Sequence, residues 1–250
     1  MNDHDSKILV TGGNGKLATE LRKQFKCLLA DKQELDVTNY IQVENFLKNH
    51  KNIDFVIHTA AITSVEKCEK NKELTYNVNV EGTRNLLKAI KQTNPKIKII
   101  YISTPCIFDG KKGDYTEESI AEPENYYGIT KLISEELIKS SGLRYLIARV
   151  NFVKFDKWEY PKAFTDRYGT YLFADQIATK LVYHINNTDG ILHIVGEEKL
   201  SMFELAKITT PDIKKYTMKE YEKERPHPTR LTKDMSMKSL RSDPVKIRGS

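Results

Sequence analysis

Cysteine is scarce in this chain: three in 250 residues, at Cys27, Cys68 and Cys106. Their spacing matches no zinc motif, and an odd number leaves one unpaired, so a reducing, cytoplasmic setting is expected rather than a disulfide scaffold. The six histidines are scattered without ligand spacing, and no metal is expected. No apolar run approaches the roughly 18 residues of a membrane span, and residues 1–6 carry no signal-like apolar stretch, so no membrane association is expected. A dominant charge of one sign is also missing. Forty Lys and Arg stand against 34 Asp and Glu, and they interleave. The basic excess is greatest after Lys199, but Asp212, Glu220, Glu222, Glu224, Asp234 and Asp243 dilute it. No nucleic-acid partner is expected; a net charge of +6 suits an anionic small molecule as well.

What the chain does have is alternation. Apolar runs at 7–11, 27–30, 55–59, 97–103, 145–150 and 191–195 read as strands, with helical patterns between them at 16–25, 40–49, 74–92, 127–140 and 174–185. Such βαβα order predicts an α/β fold, a Rossmann-type doubly wound parallel sheet. Residues 1–150 form the expected dinucleotide-binding domain. Residues 151–250, where Pro161, Pro211, Pro226, Pro228 and Pro244 interrupt the pattern, form a smaller C-terminal substrate lobe. That lobe returns a helix and strand, about 171–196, to the core. Residues 245–250 are expected to fray. Ligands of open parallel sheets bind at the carboxyl ends of strands, and Gly12, Ala60, Thr104 and Asn151 each follow one.

Two patterns carry chemistry. In Lys7-Ile-Leu-Val-Thr-Gly12-Gly13-Asn14-Gly15-Lys16-Leu17-Ala18 a short strand runs into glycines and then a helix. Gly12 permits a tight turn, Gly15 lets backbone approach a pyrophosphate, and the helix N-terminus holds it. An ordinary glycine-rich βα turn is the alternative. In Tyr126-Tyr127-Gly128-Ile129-Thr130-Lys131, Tyr127 is the one tyrosine of thirteen with a lysine four residues on. On a helix the two side chains share a face, and the ammonium would lower the phenol pKa and ready it for proton transfer. The plain alternative is a solvated helix face.

Together with Tyr101-Ile-Ser-Thr-Pro-Cys-Ile-Phe-Asp-Gly110, these segments resemble the extended short-chain dehydrogenase/reductases, and within them the dTDP-4-dehydrorhamnose reductase group. Leu35-Asp-Val-Thr38, Ala60-Ala-Ile-Thr-Ser-Val-Glu-Lys-Cys-Glu69, Asn79-Val-Glu-Gly-Thr83, Pro123 and Asn125 fit the same pattern. The resemblance covers about residues 7–150 and implies an NAD(P)-dependent oxidoreductase that reduces the 4-keto group of a dTDP- or UDP-activated deoxysugar, with possible coupling to an epimerase. A nucleotide-sugar epimerase and a non-catalytic NADP-binding regulatory subunit are the alternatives. It implies a catalytic set of Thr104, Tyr127 and Lys131. Cofactor contacts are implied for Gly12, Asn14, Gly15, Lys16, Leu17, Asp31, Lys32, Asp36, Val37, Ala60, Ala61, Thr63, Asn79 and Ser103, besides Tyr127 and Lys131. Substrate contacts are implied for Val65, Thr104, Pro105, Cys106, Asn151 and Phe152.

Asp31 followed by Lys32, with Lys16 nearby, permits NAD or NADP; the resemblance inclines the reading to NADP. Taken alone, Thr104 could be a strand-end hydroxyl serving backbone groups, Asp36 a turn residue, and Asn79 a helix cap. A homodimer through helices 74–92 and 127–140 is implied, using Leu86, Leu87, Ile90, Leu132, Ile133 and Leu137, although burial within one chain explains the same spacing. The chain departs from the group at Pro105-Cys106, in the run Arg149-Val-Asn-Phe152, a motif in which a tryptophan is usual, and in a short 152–169 segment.

Overall fold

The protein is described from a computed structural model covering residues 7–225 and 227–249. Residues 1–6, Pro226 and Ser250 lie outside the described residues. The alternating half consists of β1 (Ile8–Thr11), α1 (Lys16–Gln24), β2 (Leu28–Ala30), α2 (Tyr40–Asn49), β3 (Phe55–His58), α3 (Val65–Lys70), α4 (Lys72–Tyr76), α5 (Gly82–Thr93), β4 (Lys98–Ser103), α6 (Tyr126–Lys139) and β5 (Tyr145–Val150). Then follow β6 (Phe152–Val153), β7 (Lys162–Phe164), β8 (Tyr168–Gly169), β9 (Leu172–Phe173), α7 (Ala174–Asn187), β10 (Gly190–Ile194), β11 (Leu200–Ser201), α8 (Met202–Thr209), β12 (Lys214–Tyr216), α9 (Met218–Lys223) and β13 (Asp234–Met235).

Six strands make one parallel sheet in the order β10-β5-β4-β3-β1-β2. The chain moves outward from β1 to β2 and then returns to the other side of β1 with β3. This reversal opens a crevice at the carboxyl ends of β1 and β3. Helices cover both faces, α1 beside α7 on one and α2 beside α5 on the other. Strands so covered must be apolar throughout, and every residue of β4 is buried. Leu17, Ala18 and Leu21 of α1 pack into the core cluster that holds Ile177, Ala178 and Leu181 of α7; Leu86 and Ile90 of α5 pack with Val43 and Leu47 of α2. Leu86, Leu87 and Ile90 are thus buried within a single chain.

Three expectations change. The helix expected over 74–92 forms but is not α-helical throughout: a π-turn at Asn77–Glu81 widens it between α4 and α5. The stretch after Val150 carries more regular structure than its irregular pattern suggests. Short strands pair as β11-β8-β13, β12-β7 and β6-β9, and α8 and α9 each begin with a reciprocal capping box, from Ser201 and Thr217. Residues 245–249 are not frayed, because Val245 bridges Gly196, Ile247 is buried and Gln176 donates to the Lys246 carbonyl at 2.8 Å.

Lys98, at the foot of β4, is 1 % exposed. Its ammonium donates to the carbonyls of Ile185 and Thr188 at 2.8 and 2.7 Å and pairs with Asp189 at 2.7 Å, so it closes the C-terminal end of α7 against the sheet. Truncating it strands two carbonyls and an interior void. Lys98→Ala is expected to lower stability by roughly 2–3 kcal/mol in urea titration. An unchanged midpoint would show that α7 is held by its apolar face alone.

Candidate active site

The turn between β1 and α1 can be formed only with small residues. Gly12 has φ +72°, and a Cβ there would stand 2.9 Å from the Ala60 backbone. A Cβ on Gly13 would meet Leu29 and Ala30 at 3.0–3.1 Å. The loop is tied by Gly15 N–H to Gly12 O at 2.8 Å. Gly15 is the N-cap of α1 and offers no side-chain cap, and the first turn holds no acid. The helix therefore presents free N–H groups and the positive end of its dipole at the crevice, a ready seat for a phosphate. The Lys16 ammonium lies beside them, paired with Glu159 from the segment after β6.

Asp31 follows β2 at the same rim. Backbone N–H groups of Glu34 and Gln33 and the Asn14 amide hold its carboxyl below the usual carboxylate range. Asn14 Nδ2 donates to it at 3.0 Å, which joins the glycine loop to the acid. Lys32 is mainly exposed and lies 3.9 Å from Asp36. Asp36 behaves as the turn residue of the plainer reading, accepting from Thr38 N–H at 2.9 Å and its hydroxyl at 2.7 Å. Val37 is buried against Gly82, where a Cβ would meet its methyl at 2.7 Å.

Beyond β3, the loop with Ala60, Ala61 and Thr63 leads to Val65 at the start of α3 and rests on Asn79. Asn79 is no helix cap; it sits inside the π-turn. Its amide accepts from Ile62 N–H at 2.8 Å and donates to Ile62 O at 3.1 Å and Thr130 Oγ1 at 3.0 Å. Its own carbonyl accepts from Ser134 at 2.9 Å and Thr83 at 2.7 Å. With the Thr83 proton so committed, His58 Nε2 donates to Thr83 at 3.1 Å and Nδ1 accepts from Thr11 at 2.7 Å. His58 is neutral in this arrangement, its pKa pushed down to about 3 by burial and then by the Lys131 charge. An unbroken polar chain thus runs from β1 to the π-turn, and a widened helical turn supplies the spare carbonyl it needs.

The Tyr–Lys pair lies on α6, which starts at Asn125, whose side chain accepts from Gly128 N–H at 3.0 Å. Tyr127 and Lys131 are both buried. The Tyr127 phenol interacts with the Thr104 hydroxyl, while burial first and the neighbouring Cys106 next push its pKa above the ordinary tyrosine value. Thr104 also accepts from Cys106 N–H at 3.2 Å, so the plain strand-end role and a role beside Tyr127 coexist.

The expected lowering of the phenol pKa by Lys131 is not what this geometry gives. Lys131 Nζ donates to Ile102 O at 2.7 Å and sits 3.9 Å over the Tyr101 ring. Burial brings its pKa down to about 7, with Glu135 acting in the opposite sense. Ser103 likewise turns inward: its hydroxyl donates to Glu135 at 2.5 Å.

Pro105 and Cys106 form a 3-10 turn over α6, and Cys106 Sγ lies 3.8 Å from Met235 Sδ. Asn151 and Phe152 follow β5. Buried polar atoms without a hydrogen-bond partner include, among the described residues, Asn151 Nδ2 and Tyr171 Oη, and Asn151 Nδ2 and the Tyr171 ring both lie over Gly169. Buried groups left so are the natural partners of a ligand. Sequence reasoning passed over Tyr171. It also passed over Glu135, whose one signal was its place four residues beyond Lys131.

A glycine cradle, a helix N-terminus, a rim carboxylate and a buried Thr–Tyr–Lys set on one parallel sheet define a dinucleotide-binding protein of the extended short-chain dehydrogenase/reductase class. More narrowly, residues 6–242 match the family described as RmlD substrate binding domain, and the chain belongs to that family. It is 29% identical over 229 residues to a dTDP-4-dehydrorhamnose reductase of Aggregatibacter actinomycetemcomitans, covering 80% of this chain and 77% of that one. A dTDP-4-dehydrorhamnose reductase structure from Clostridium acetobutylicum is 30% identical with a TM-score of 0.82, covering 92% and 89% of the two chains. A Bacillus anthracis reductase solved with NADP shares the fold at 23% identity, TM-score 0.83, with 94% and 90% covered.

Gly128, between Tyr127 and Lys131, is the tightest contact of the site: a Cβ would stand 2.1 Å from Cys106 O and 2.9 Å from Pro123 Cβ. Gly128→Ala must push α6 away from the Thr104 turn. A stability loss of about 1–3 kcal/mol is expected on denaturant titration. Wild-type stability in this variant would contradict the close approach.

Proposed function

We propose that this protein uses NADPH to reduce the 4-keto group of a nucleotide-activated deoxysugar, a dTDP- or UDP-4-keto-6-deoxyhexose. The observation that carries the reading is the meeting of the Thr104 hydroxyl and the buried Tyr127 phenol at the same carboxyl edge of the parallel sheet as the glycine turn. The names of the relatives supply the substrate class. NADPH, when bound, supplies the hydride.

The chain's own residues do the rest. Gly12, Gly15 and the first turn of α1 seat the pyrophosphate, with Asn14, Lys16 and Leu17 around it. Asp31 takes the one hydroxyl left free on the adenosine ribose, and Lys32 and Lys16 provide the positive charge a 2′-phosphate requires beside that carboxylate; NAD would forgo that attraction. Asp36, Val37, Ala60, Ala61, Thr63 and the backbone at Ser103 line the crevice. Asn79 fixes the loop over it. Thr104 donates a hydrogen bond to the ketone oxygen. Tyr127, kept neutral by burial, has the proton to give, and the Thr104 hydroxyl, which acts against the rise in its pKa, eases the release of that proton. Lys131 brings charge to the ribose and to the phenol once the site is filled. Val65, Pro105, Cys106, Asn151 and Phe152 surround the sugar. A homodimer through α5 and α6 would draw on Leu132, Ile133 and Leu137, which are only partly buried in one chain.

Two outcomes test this. In a spectrophotometric assay of NADPH oxidation with enzymatically generated dTDP- and UDP-4-keto-6-deoxy sugars, Tyr127→Phe should cut kcat by about 100-fold or more. Turnover undiminished in the variant would remove Tyr127 as the acid. Separately, Lys131 near pKa 7 in the empty site loses its charge as pH rises through that value, whereas an anionic ligand favours the charged form. NADPH binding above pH 7 should therefore take up a proton and weaken with rising pH. Calorimetry at pH 8 in buffers of different ionisation enthalpy reads this directly. No proton uptake, or uptake that persists in Lys131→Met, would contradict it.

A further inference from the structure

Glu135 is fully buried, four residues after Lys131 and eight after Tyr127 on α6. Its carboxylate joins three elements. Oε1 accepts from Ser103 Oγ at 2.5 Å, at the end of β4 and one residue before Thr104. Arg149 of β5 donates to both oxygens, Nε to Oε1 at 3.1 Å and Nη2 to Oε2 at 2.7 Å. Ser103 and Arg149 are register partners across the two strands, and Asn151 follows two residues later. Arg149 reaches on to His193 Nε2 at 3.4 Å, and His193 Nδ1 meets Lys238 O at 2.9 Å.

Packed apolar side chains often stabilise a core as well as a buried ion pair does, so stability alone does not account for this one. What an apolar pair cannot give is a fixed direction for the strand ends. We propose that Glu135 is a positioning residue for the reaction: it clamps the end of β4 to α6 and β5, so that Thr104, Tyr127 and Lys131 share one geometry, and from one helical turn beyond Lys131 its charge favours the charged form of that lysine. The proposal rests on the reductase reading of the site.

Its electrostatic half follows from what surrounds Lys131. His58 acts on it from β3, Tyr101 lies under it from β4, and Glu135 acts on it from one turn further along α6. His58 is held neutral and Tyr101 and Tyr127 are held protonated by burial, which leaves Glu135 to oppose the loss of the lysine charge. Arg149 meets Glu135 from β5, and His193 of β10 meets Arg149 behind it.

Three proteins test the proposal: wild type, the double variant E135M/R149M, which removes the pair without leaving an unpaired charge, and S103A, which removes one hydrogen bond and no charge. The readouts are kcat, KM, and the midpoint of NADPH affinity against pH by fluorescence titration. The double variant should lose about 100-fold in kcat with KM within a few-fold, and its affinity midpoint should move to lower pH by about one unit or more. S103A should lose kcat by a smaller factor with the midpoint unmoved. If the double variant folds and keeps wild-type kcat and midpoint, the pair is structural only and the proposal falls. If it does not fold, S103A decides: wild-type kcat there overturns the clamp. Should wild type itself reduce no nucleotide sugar, the reductase reading fails, while the pH midpoint of cofactor affinity still decides the role of Glu135.

Discussion

The contact on which the site depends is the docking of α6 against the turn that ends β4. A helix carrying both Tyr127 and Lys131 must come close enough for the phenol to reach Thr104, and Gly128 is what lets the backbone of α6 lie on the Cys106 carbonyl. Every other feature nearby serves that approach. Asn125 caps the helix on the amide of the same glycine, Thr130 and Ser134 bond the π-turn, Lys131 reaches back to Ile102 O, and Glu135 grips Ser103. These contacts recur along successive turns of the helix, so α6 is fixed in rotation as well as in distance.

Electrostatics follow from the same packing. Removing Tyr127 and Lys131 from water favours the neutral form of each, and in the empty site these shifts run opposite to the familiar picture of a lysine activating a tyrosinate. A neutral phenol is the state a proton donor needs. A lysine near neutrality can gain charge when an anionic ligand arrives, which couples binding to protonation rather than holding a fixed charge in a dry interior.

Much of this was legible in the sequence. The order of strands and helices, the glycine turn and the Tyr–Lys spacing were readable because each rests on local periodicity and on residue types with one dominant use. The π-turn was not, because its widening at Asn77–Glu81 answers to partners brought in by tertiary structure, Ser134 on α6 and Ile62 in the loop after β3. The ordered end at 245–249 was missed for a similar reason: Val245 and Ile247 are held by Gly196 and by the core, distant in sequence. Asp36 and Thr104 each carry a local backbone role that sequence could name but not weigh against a functional one. Glu135 and Arg149 looked like two more charges in a highly charged chain until tertiary structure buried both.

The central claim is that hydride passes from a nicotinamide cofactor to the 4-position of a sugar while this chain supplies the proton. The most direct measurement uses NADPH deuterated at the transferable position with a dTDP-4-keto-6-deoxyhexose, followed by mass and NMR analysis of the sugar. The account predicts one deuterium per product, placed on C4, with one cofactor oxidised for each sugar reduced. Sugar converted without label at C4, or without net cofactor oxidation, would contradict it and indicate a cofactor recycled within the site.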